Sequence, residues 1–364
     1  MEATRGQAKK VLEAYGLDGK PVSCERFGGG HINGTFLVTT DREHRYVIQR
    51  INDTVFPDTD GLMANVEAVT EHIAHRASDP RRVLRLVRNR QGKTWLRLSD
   101  GTPWRVLEYV EGAVCLQQPR SPGDFYSSGV AFGCFVQQLS DFPAHTLTEV
   151  IPKFHDTRDR YRQFREAVEA DCVGRLAGVQ AEVDFALARQ SEAGTLVELL
   201  EQGQLPLRVT HNDTKLNNVM LDAVTGEPLC VIDLDTVMPG TSLYDYGDSI
   251  RFGASTATED ELELDRVEMD LELFEVYTRG FLEGCPDLTD RERELLPMGA
   301  KLMTLECGVR FLTDYLNGDV YFSIHRPEHN LDRCRTQFKL VADMEAKWDE
   351  MARIVARCTS EQTR

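Results

Sequence analysis

The segment His211-Asn212-Asp213-Thr214-Lys215-Leu216-Asn217-Asn218, with Val231-Ile232-Asp233-Leu234-Asp235 downstream, assembles the residue types that phosphoryl transfer requires. An Asp stands behind a His, an Asn follows that Asp by five positions, and a second acidic residue ends a later apolar run. In that order one carboxylate can orient an attacking hydroxyl and accept its proton. An amide oxygen and the second carboxylate can hold Mg²⁺ against nucleotide phosphates. The spacing makes Asp213 the candidate catalytic base and Asn218 and Asp233 the candidate metal ligands, with ATP as phosphoryl donor. Either piece alone reads equally well as Asp or Asn capping backbone amides near a turn. Together they point to chemistry.

Positioning those groups calls for short strands around a loop. Residues 205–210 form an apolar, β-branched run that predicts a strand delivering His211. Residues 218–222 and 229–234 are two more such runs, and the Thr-Gly turn and Pro between them predict a hairpin. Asn218 and Asp233 would then stand at neighbouring strand ends, close enough to share one ion.

A nucleotide half is expected upstream. Gly28-Gly29-Gly30-His31-Ile32-Asn33 lies between two strand candidates. Glycines there let backbone amides approach phosphate oxygens, with a plain hairpin as the alternative. On the next strand, residues 46–51, a Lys paired with a helix Glu would ordinarily hold the α- and β-phosphates. Gln49 occupies that position and Arg50 stands beside it. Neighbouring strand residues face opposite ways, so Arg50 replaces the Lys only with a bulge or slip. Glu67 is the natural helix partner, with a solvated helix charge as the competing reading. In the stretch 107–112, the backbones of Glu108 and Val110 are placed to bond adenine.

The fold class expected is α+β in two lobes, a β-rich nucleotide-binding lobe over 1–110 and a mainly helical one over 111–364. The first lobe reads as a helix at 4–15, strands at 22–27, 35–40 and 45–51, a helix at 62–77, then strands at 83–87, 94–98 and 104–110. In the second, Ser121-Pro122 supplies an N-cap and first helical residue for a helix through 139. Further helices are expected at 161–172, 183–202, 262–282 and 291–316. Val341, Met344, Trp348, Met351 and Val355 recur at three- and four-residue steps, a stripe expected to pack on the core, with a coiled-coil seam as the alternative.

Composition excludes several classes. A net charge of −17 argues against nucleic-acid binding, which needs a basic footprint. No apolar run approaches the roughly 18 residues of a membrane span, and the first ten residues lack a signal-peptide core. Nine cysteines without a C-x-x-C pair read as reduced thiols of a cytoplasmic protein.

The loop has the spacing of a protein-kinase catalytic loop but departs from it. Asn212 replaces the Arg, and Leu234 stands in place of the Phe after the metal Asp. That pattern resembles the small-molecule phosphotransferases of the aminoglycoside phosphotransferase and choline kinase type. Longer strings are similar to the N-acetylhexosamine 1-kinase family: Gly30-His31-Ile32-Asn33, Phe56-Pro57-Asp58-Thr59, residues 208–218, Ile232-Asp233-Leu234-Asp235-Thr236, residues 245–255, and Glu306-Cys307-Gly308-Val309-Arg310-Phe311.

This resemblance implies an aminoglycoside-phosphotransferase fold and ATP- and Mg²⁺-dependent phosphorylation of the anomeric hydroxyl of N-acetylglucosamine and N-acetylgalactosamine. It also implies tolerance of Gln49. By the same resemblance His31 reaches past ATP toward the sugar and Phe252 offers a ring face to the pyranose. Arg310 and Tyr321 bond sugar hydroxyls or the acetamido carbonyl.

Plainer readings compete. Glu306, Arg310 and Asp314 recur every four residues, as a surface salt-bridge ladder would. Phe252 and Tyr321 could be core aromatics, and Asp245 and Asp248 braces or caps. His325, Glu328 and His329 read as surface residues, because Pro327 interrupts the helix that metal binding would need. Other acceptors (choline, homoserine, methylthioribose, an aminoglycoside) and a non-catalytic nucleotide-binding module are the rival functions. Arg310, His325 and Arg326 suit a neutral sugar better than a cationic acceptor.

Overall fold

The computed structural model describes residues 5–28 and 33–362. Gly29, Gly30 and His31 therefore lie outside the described residues, while Gly28 stands at the end of the first described stretch with φ +76°.

The N-lobe opens with α1 (Arg5–Ala14), followed by β1 (Pro21–Arg26), β2 (Gly34–Thr40), β3 (Arg45–Arg50), α2 (Thr59–Ala74), β4 (Trp95–Arg97) and β5 (Pro103–Glu108). The strands form one antiparallel sheet in the order β1-β2-β3-β5-β4. Alternation sends Phe36, Val38, Tyr46, Ile48, Trp104 and Val106 to one face, where they bury against Val11 and Leu12 of α1 and Tyr15 just after it. The α2 helix belongs to a different core. Its Leu62, Met63, Val66, Val69 and Ile73 join the large apolar cluster of the C-lobe. Its buried Asn65 donates to the carbonyls of Thr148 at 2.8 Å and Val237 at 2.9 Å.

The expected strand at 83–87 is instead an extended segment along the far end of β5. Val87 N donates to Val106 O and Glu108 N to Arg85 O, both at 2.9 Å, with a single bridge between Leu86 and Leu107.

The C-lobe is helical around short strands. In chain order it comprises β6 (Ala113–Val114), α3 (Pro122–Gln138), α4 (Thr157–Ala170), α5 (Gln180–Leu187), α6 (Thr195–Glu201), β7 (Arg208–Thr210), β8 (Val219–Asp222), β9 (Pro228–Val231) and β10 (Met238–Gly240). Then come α7 (Ser242–Gly253), α8 (Leu271–Gly284), α9 (Asp290–Glu294), α10 (Leu296–Leu316), α11 (His329–Ala346) and α12 (Trp348–Gln362). Ser121 caps α3 with Pro122 in the first turn, as its sequence specifies. Gly129 and Gly133 of α3 face Gly280 and Gly284 of α8. A Cβ on any of the four would sit 2.4–2.6 Å from a carbonyl oxygen of the other helix, so only glycine permits this crossing.

Three expected helices are divided or shortened. Residues 183–202 split into α5 and α6 around Gly194, and 291–316 splits at Leu295, so that Pro297 falls in the first turn of α10 where its missing N–H costs least. The segment 262–282 makes a single 3-10 turn at Leu264–Arg266 and becomes α-helical only at Leu271, where the Asp270 side chain accepts from the amides of Glu272 and Leu273. The terminal stripe spans two helices meeting at Lys347. Val341, Met344, Met351 and Val355 are buried in the common core, so it is no coiled-coil seam. His329 is also buried, against the surface reading, and Asp260 lies 3.1 Å from its Nε2.

Candidate active site

The hairpin expected between 218 and 234 is present as β8 and β9, with Val219 opposite Val231. Ile232 N donates to Asn218 O at 2.8 Å, which brings the segment carrying Asp233 alongside Asn218. Asn218 Nδ2 donates to Asp213 twice, to the main-chain oxygen at 2.8 Å and to Oδ2 at 3.1 Å. The three residues named from spacing are thus brought together by local pairing. Asn212 and Asp233 both adopt left-handed backbone conformations, φ 64° and 61°, which turn the chain sharply at each side of the site.

The loop carrying Asp213 is held by α7. Asp245 accepts from the main-chain N–H groups of His211 and Asn212, each at 2.8 Å. Asp248 Oδ2 accepts from Thr214 N at 3.1 Å. Ser249 Oγ donates to Thr214 O at 2.8 Å and itself receives Tyr277 Oη at 2.7 Å, linking loop to core. Phe132 and Phe135 of α3 meet the His211 ring edge-on, at centroid distances of 5.6 and 5.9 Å. Asp245 and Asp248 brace the loop, as expected of them from the sequence. Burial pushes the Asp245 carboxyl up to about 6, against the opposing charge of His211 and the two amide bonds.

Two residues that the sequence reading passed over belong to this site. Lys215 Nζ lies 2.7 Å from Asp213 Oδ1. Burial works to lower its pKa, and the Asp213 carboxylate more than reverses that, leaving a stably charged ammonium beside the candidate base. Its place two positions after Asp213 was an available signal. Arg105 of β5 pairs with Asp235, their side chains 3 % and 4 % exposed, and its Nε donates to Gln49 Oε1 at 2.9 Å. An arginine inside the buried run Pro103–Glu108 was a signal too.

Glu67 lies apart from this nucleotide set. Arg88 holds one of its oxygens and Thr94 Oγ1 donates to the other at 3.3 Å, while Met63, one turn earlier on α2, faces Arg105. Arg50 points to the opposite side of β3 from Gln49, 4.0 Å from Asp53, as strand alternation demands. The Glu108 amide is taken by Arg85 O, and Val110 is buried beside Leu229 and Cys230.

Asp233 is the most strained ionisable group here. Burial first, then the charges of Asp235 and Asp213, push its carboxyl up to about 7, with Arg105 and Lys215 opposing. Crowded carboxylates of this kind suit a divalent cation. Among the described residues no three His, Cys, Asp or Glu converge on an all-protein metal cage. One carboxylate and one amide oxygen completed by substrate phosphates is how Mg²⁺ is ordinarily held, and Asp233 with Asn218 fits it.

A polar floor runs from the candidate base toward α10. Asp248 feels the charges of Arg251, Lys215 and His155, which hold its carboxyl below the usual range despite burial. His155 Nδ1 lies 3.0 Å from Glu306 Oε1, with side-chain exposures of 8 % and 1 %. His155 Nε2 and Glu306 Oε2 are buried with no hydrogen-bond partner. Burial works to raise the Glu306 carboxyl, but the charges of His155, Arg310 and Arg160 bring it below its ordinary value. The Arg310 guanidinium sits over the rings of Phe154, Phe322 and Tyr321, at 5.1, 5.4 and 5.8 Å.

The surface-ladder reading of 306–314 is therefore replaced. Glu306 and Asp314 are buried, and Asp314 accepts from the amides of Val320, Tyr321 and Phe322. Tyr321 and Phe252 are exposed, at 65 % and 40 %, so neither is a core aromatic. Phe252 lies one helical turn beyond Asp248 on α7.

Residues 23–280 match the profile of a family described as phosphotransferase enzymes. Solved structures share the fold at low identity. An aminopropanol kinase associated with a microcompartment is 18 % identical with TM-score 0.62, the match covering 96 % of this chain and 99 % of that one. Amicoumacin kinase in complex with AMP-PNP, Ca²⁺ and Ami is 14 % identical with TM-score 0.59, covering 95 % and 94 %. A choline kinase from Streptococcus pneumoniae is 12 % identical with TM-score 0.52, covering 94 % and 100 %.

Proposed function

We propose that this chain, which belongs to the phosphotransferase enzyme family, transfers the γ-phosphoryl group of ATP to the anomeric hydroxyl of an N-acetylhexosamine. Asp213 orients that hydroxyl and accepts its proton, and Lys215 beside it offsets charge developing on the transferred group. Asn218 and Asp233 would hold Mg²⁺, which when bound neutralises phosphate charge. The glycine-rich loop from Gly28 covers the phosphates, Gln49 faces them from β3, and the backbones of Glu108 and Val110 meet adenine. The lobes divide at 110/111. That the nine cysteines are all free supports a reducing, cytoplasmic setting. Among the described residues no helix is long and apolar enough to cross a membrane.

The observation that carries the acceptor assignment is the α10 floor. Glu306 Oε2 and His155 Nε2 are buried and unpartnered, while Arg310 and Arg160 crowd the same carboxylate. Cationic acceptors such as choline would meet two guanidinium groups there. A neutral acceptor rich in hydroxyl and amide groups would satisfy the open positions instead. Arg310 and Tyr321 would bond sugar hydroxyls or the acetamido carbonyl, Phe252 would offer a ring face, and His31 would approach from the glycine-rich loop.

An ADP-release assay over N-acetylglucosamine, N-acetylgalactosamine, glucose, choline, homoserine, methylthioribose and an aminoglycoside tests the reading. The N-acetylhexosamines should be turned over best and glucose poorly, because a site built for a buried polar substituent rejects analogues lacking it. Turnover of choline with none of the hexosamines would overturn it.

A further inference from the structure

Phosphotransferase sites of this architecture ordinarily place a lysine on the third strand of the N-lobe, paired with a helix carboxylate. Here that strand presents Gln49, and Glu67 of α2 is engaged by Arg88 and Thr94. The positive charge nearest in register is on the neighbouring strand, since Gln49 and Arg105 are direct cross-strand partners of β3 and β5. A row of side chains crosses the sheet. Gln49 Nε2 donates to Thr35 Oγ1 at 3.3 Å, and Arg105 Nε donates to Gln49 Oε1 at 2.9 Å. The row ends where the Arg105 guanidinium meets Asp235 of the C-lobe.

Asp235 is itself a junction. One oxygen takes Arg105 and the other accepts from Asn33 Nδ2 at 2.6 Å. Asn33 is the last residue of the segment 28–33 and immediately precedes β2, and its Oδ1 accepts from Asn52 N at 3.0 Å. Asp235 lies two positions after Asp233, in the single helical turn Leu234–Thr236. One buried carboxylate thus joins the start of β2, strand β5 and the turn that carries Asp233. Arg105 is 3 % exposed, and its guanidinium is already engaged by Asp235 and Gln49. Removing one partner of such a buried pair leaves an uncompensated charge, whereas replacing both with neutral groups is far less costly.

We propose that Arg105 is the positioning cation of the N-lobe, acting through Asp235 and Asn33 to register the start of β2 against the turn that carries Asp233. It substitutes on β5 for the absent third-strand lysine, by fixing the lobes rather than by touching nucleotide. The proposal rests on the phosphotransferase reading and is indifferent to which acceptor is used. Its consequence is largest for nucleotide bound with its cation, because that ligand is the one that would engage both the N-lobe sheet and the Asp233 turn.

The test uses the full chain and the variants Arg105→Gln, Asp235→Asn and Arg105→Gln/Asp235→Asn. Calorimetric titration with Mg²⁺·AMP-PNP and with Mg²⁺-free AMP-PNP is read beside the unfolding temperature without nucleotide. Each single variant should weaken Mg²⁺·AMP-PNP about tenfold or more, with a smaller effect on Mg²⁺-free AMP-PNP. The double variant should recover unfolding temperature, since no charge is left unpaired, yet bind Mg²⁺·AMP-PNP no more weakly than the worse single.

Wild-type affinity for Mg²⁺·AMP-PNP in the folded double variant would overturn the proposal and leave the pair merely structural. Losses that multiply in the double variant would overturn it in favour of direct phosphate contact by Arg105. Equal losses with and without Mg²⁺ that track the fall in unfolding temperature would overturn it as general damage. Failure of the wild-type chain to bind Mg²⁺·AMP-PNP would overturn the phosphotransferase reading beneath it, which is a separate result.

Discussion

The two ends of the candidate site are built differently. At the phosphoryl end nearly every polar group is committed: Asp245 to two loop amides, Asp248 to a third, Asn218 to Asp213, Asp235 to Arg105 and Asn33. At the proposed acceptor end Glu306 Oε2 and His155 Nε2 stand buried without partners and Tyr321 is exposed. A fully braced constellation performs one geometry without reorganising, which suits chemistry shared across a family. Unsatisfied buried groups are costly, so they mark where a ligand is expected to complete the structure. The difference separates what the fold supplies from what this chain selects.

Substitutions at the two ends should therefore fail in different ways. The largest effect is expected from Asp213→Asn, which keeps the shape but cannot accept the proton. Steady-state kinetics should show kcat falling by ~10²- to 10⁴-fold with nucleotide and sugar binding nearly retained. More than about a tenth of wild-type turnover would remove Asp213 from the base role.

At the other end, Glu306→Gln should raise KM for the sugar by roughly tenfold and leave Mg²⁺·AMP-PNP affinity unchanged. A loss of kcat at unchanged KM would blur the division between the two ends. Phe252→Ala removes an exposed ring face, and its effect should be milder, about threefold in sugar KM with unfolding temperature unaltered. No change in KM would take Phe252 out of the acceptor site.

The smallest effect is on stability and depends on pH. Asp233 holds its proton to about 7 when folded, against an ordinary value of 3.8. Between those values the folded chain binds the extra proton, so this group's contribution to cation-free stability declines as pH rises through the window. Without Mg²⁺, Asp233→Asn should unfold a few degrees above wild type beyond pH 7. The gap should narrow toward pH 5. A gap that widens on acidification would contradict the assignment.

The same contrast governs how far the sequence could be read. The candidate base Asp213 and the candidate metal ligands Asn218 and Asp233 were legible together because they lie within one loop and one hairpin, where spacing largely sets their geometry. The sheet was legible in its alternation, but 83–87 was misread, since an apolar run does not say whether its partner strand is paired along its length. The single-helix readings of 183–202 and 291–316 failed at Gly194 and before Pro297, breakers whose weight depends on tertiary packing.

Glu67 followed the kinase pattern onto α2, whereas the cation had moved one strand over to Arg105 and no longer needed that partner. The acceptor floor was the least legible part. His155, Asp248 and Glu306 come from three distant segments, and a helical i, i+4 series does not reveal which side is buried.

Phosphorus NMR of the product formed from N-acetylglucosamine and ATP bears most directly on the proposal that the acceptor end selects the anomeric hydroxyl. The arrangement around Glu306, His155 and Arg310 should grip the remaining hydroxyls and the acetamido group, leaving the hydroxyl at carbon 1 in line with the γ-phosphate. The predicted result is a phosphate resonance coupled to the anomeric proton. A phosphate coupled to the protons at carbon 6 would contradict it.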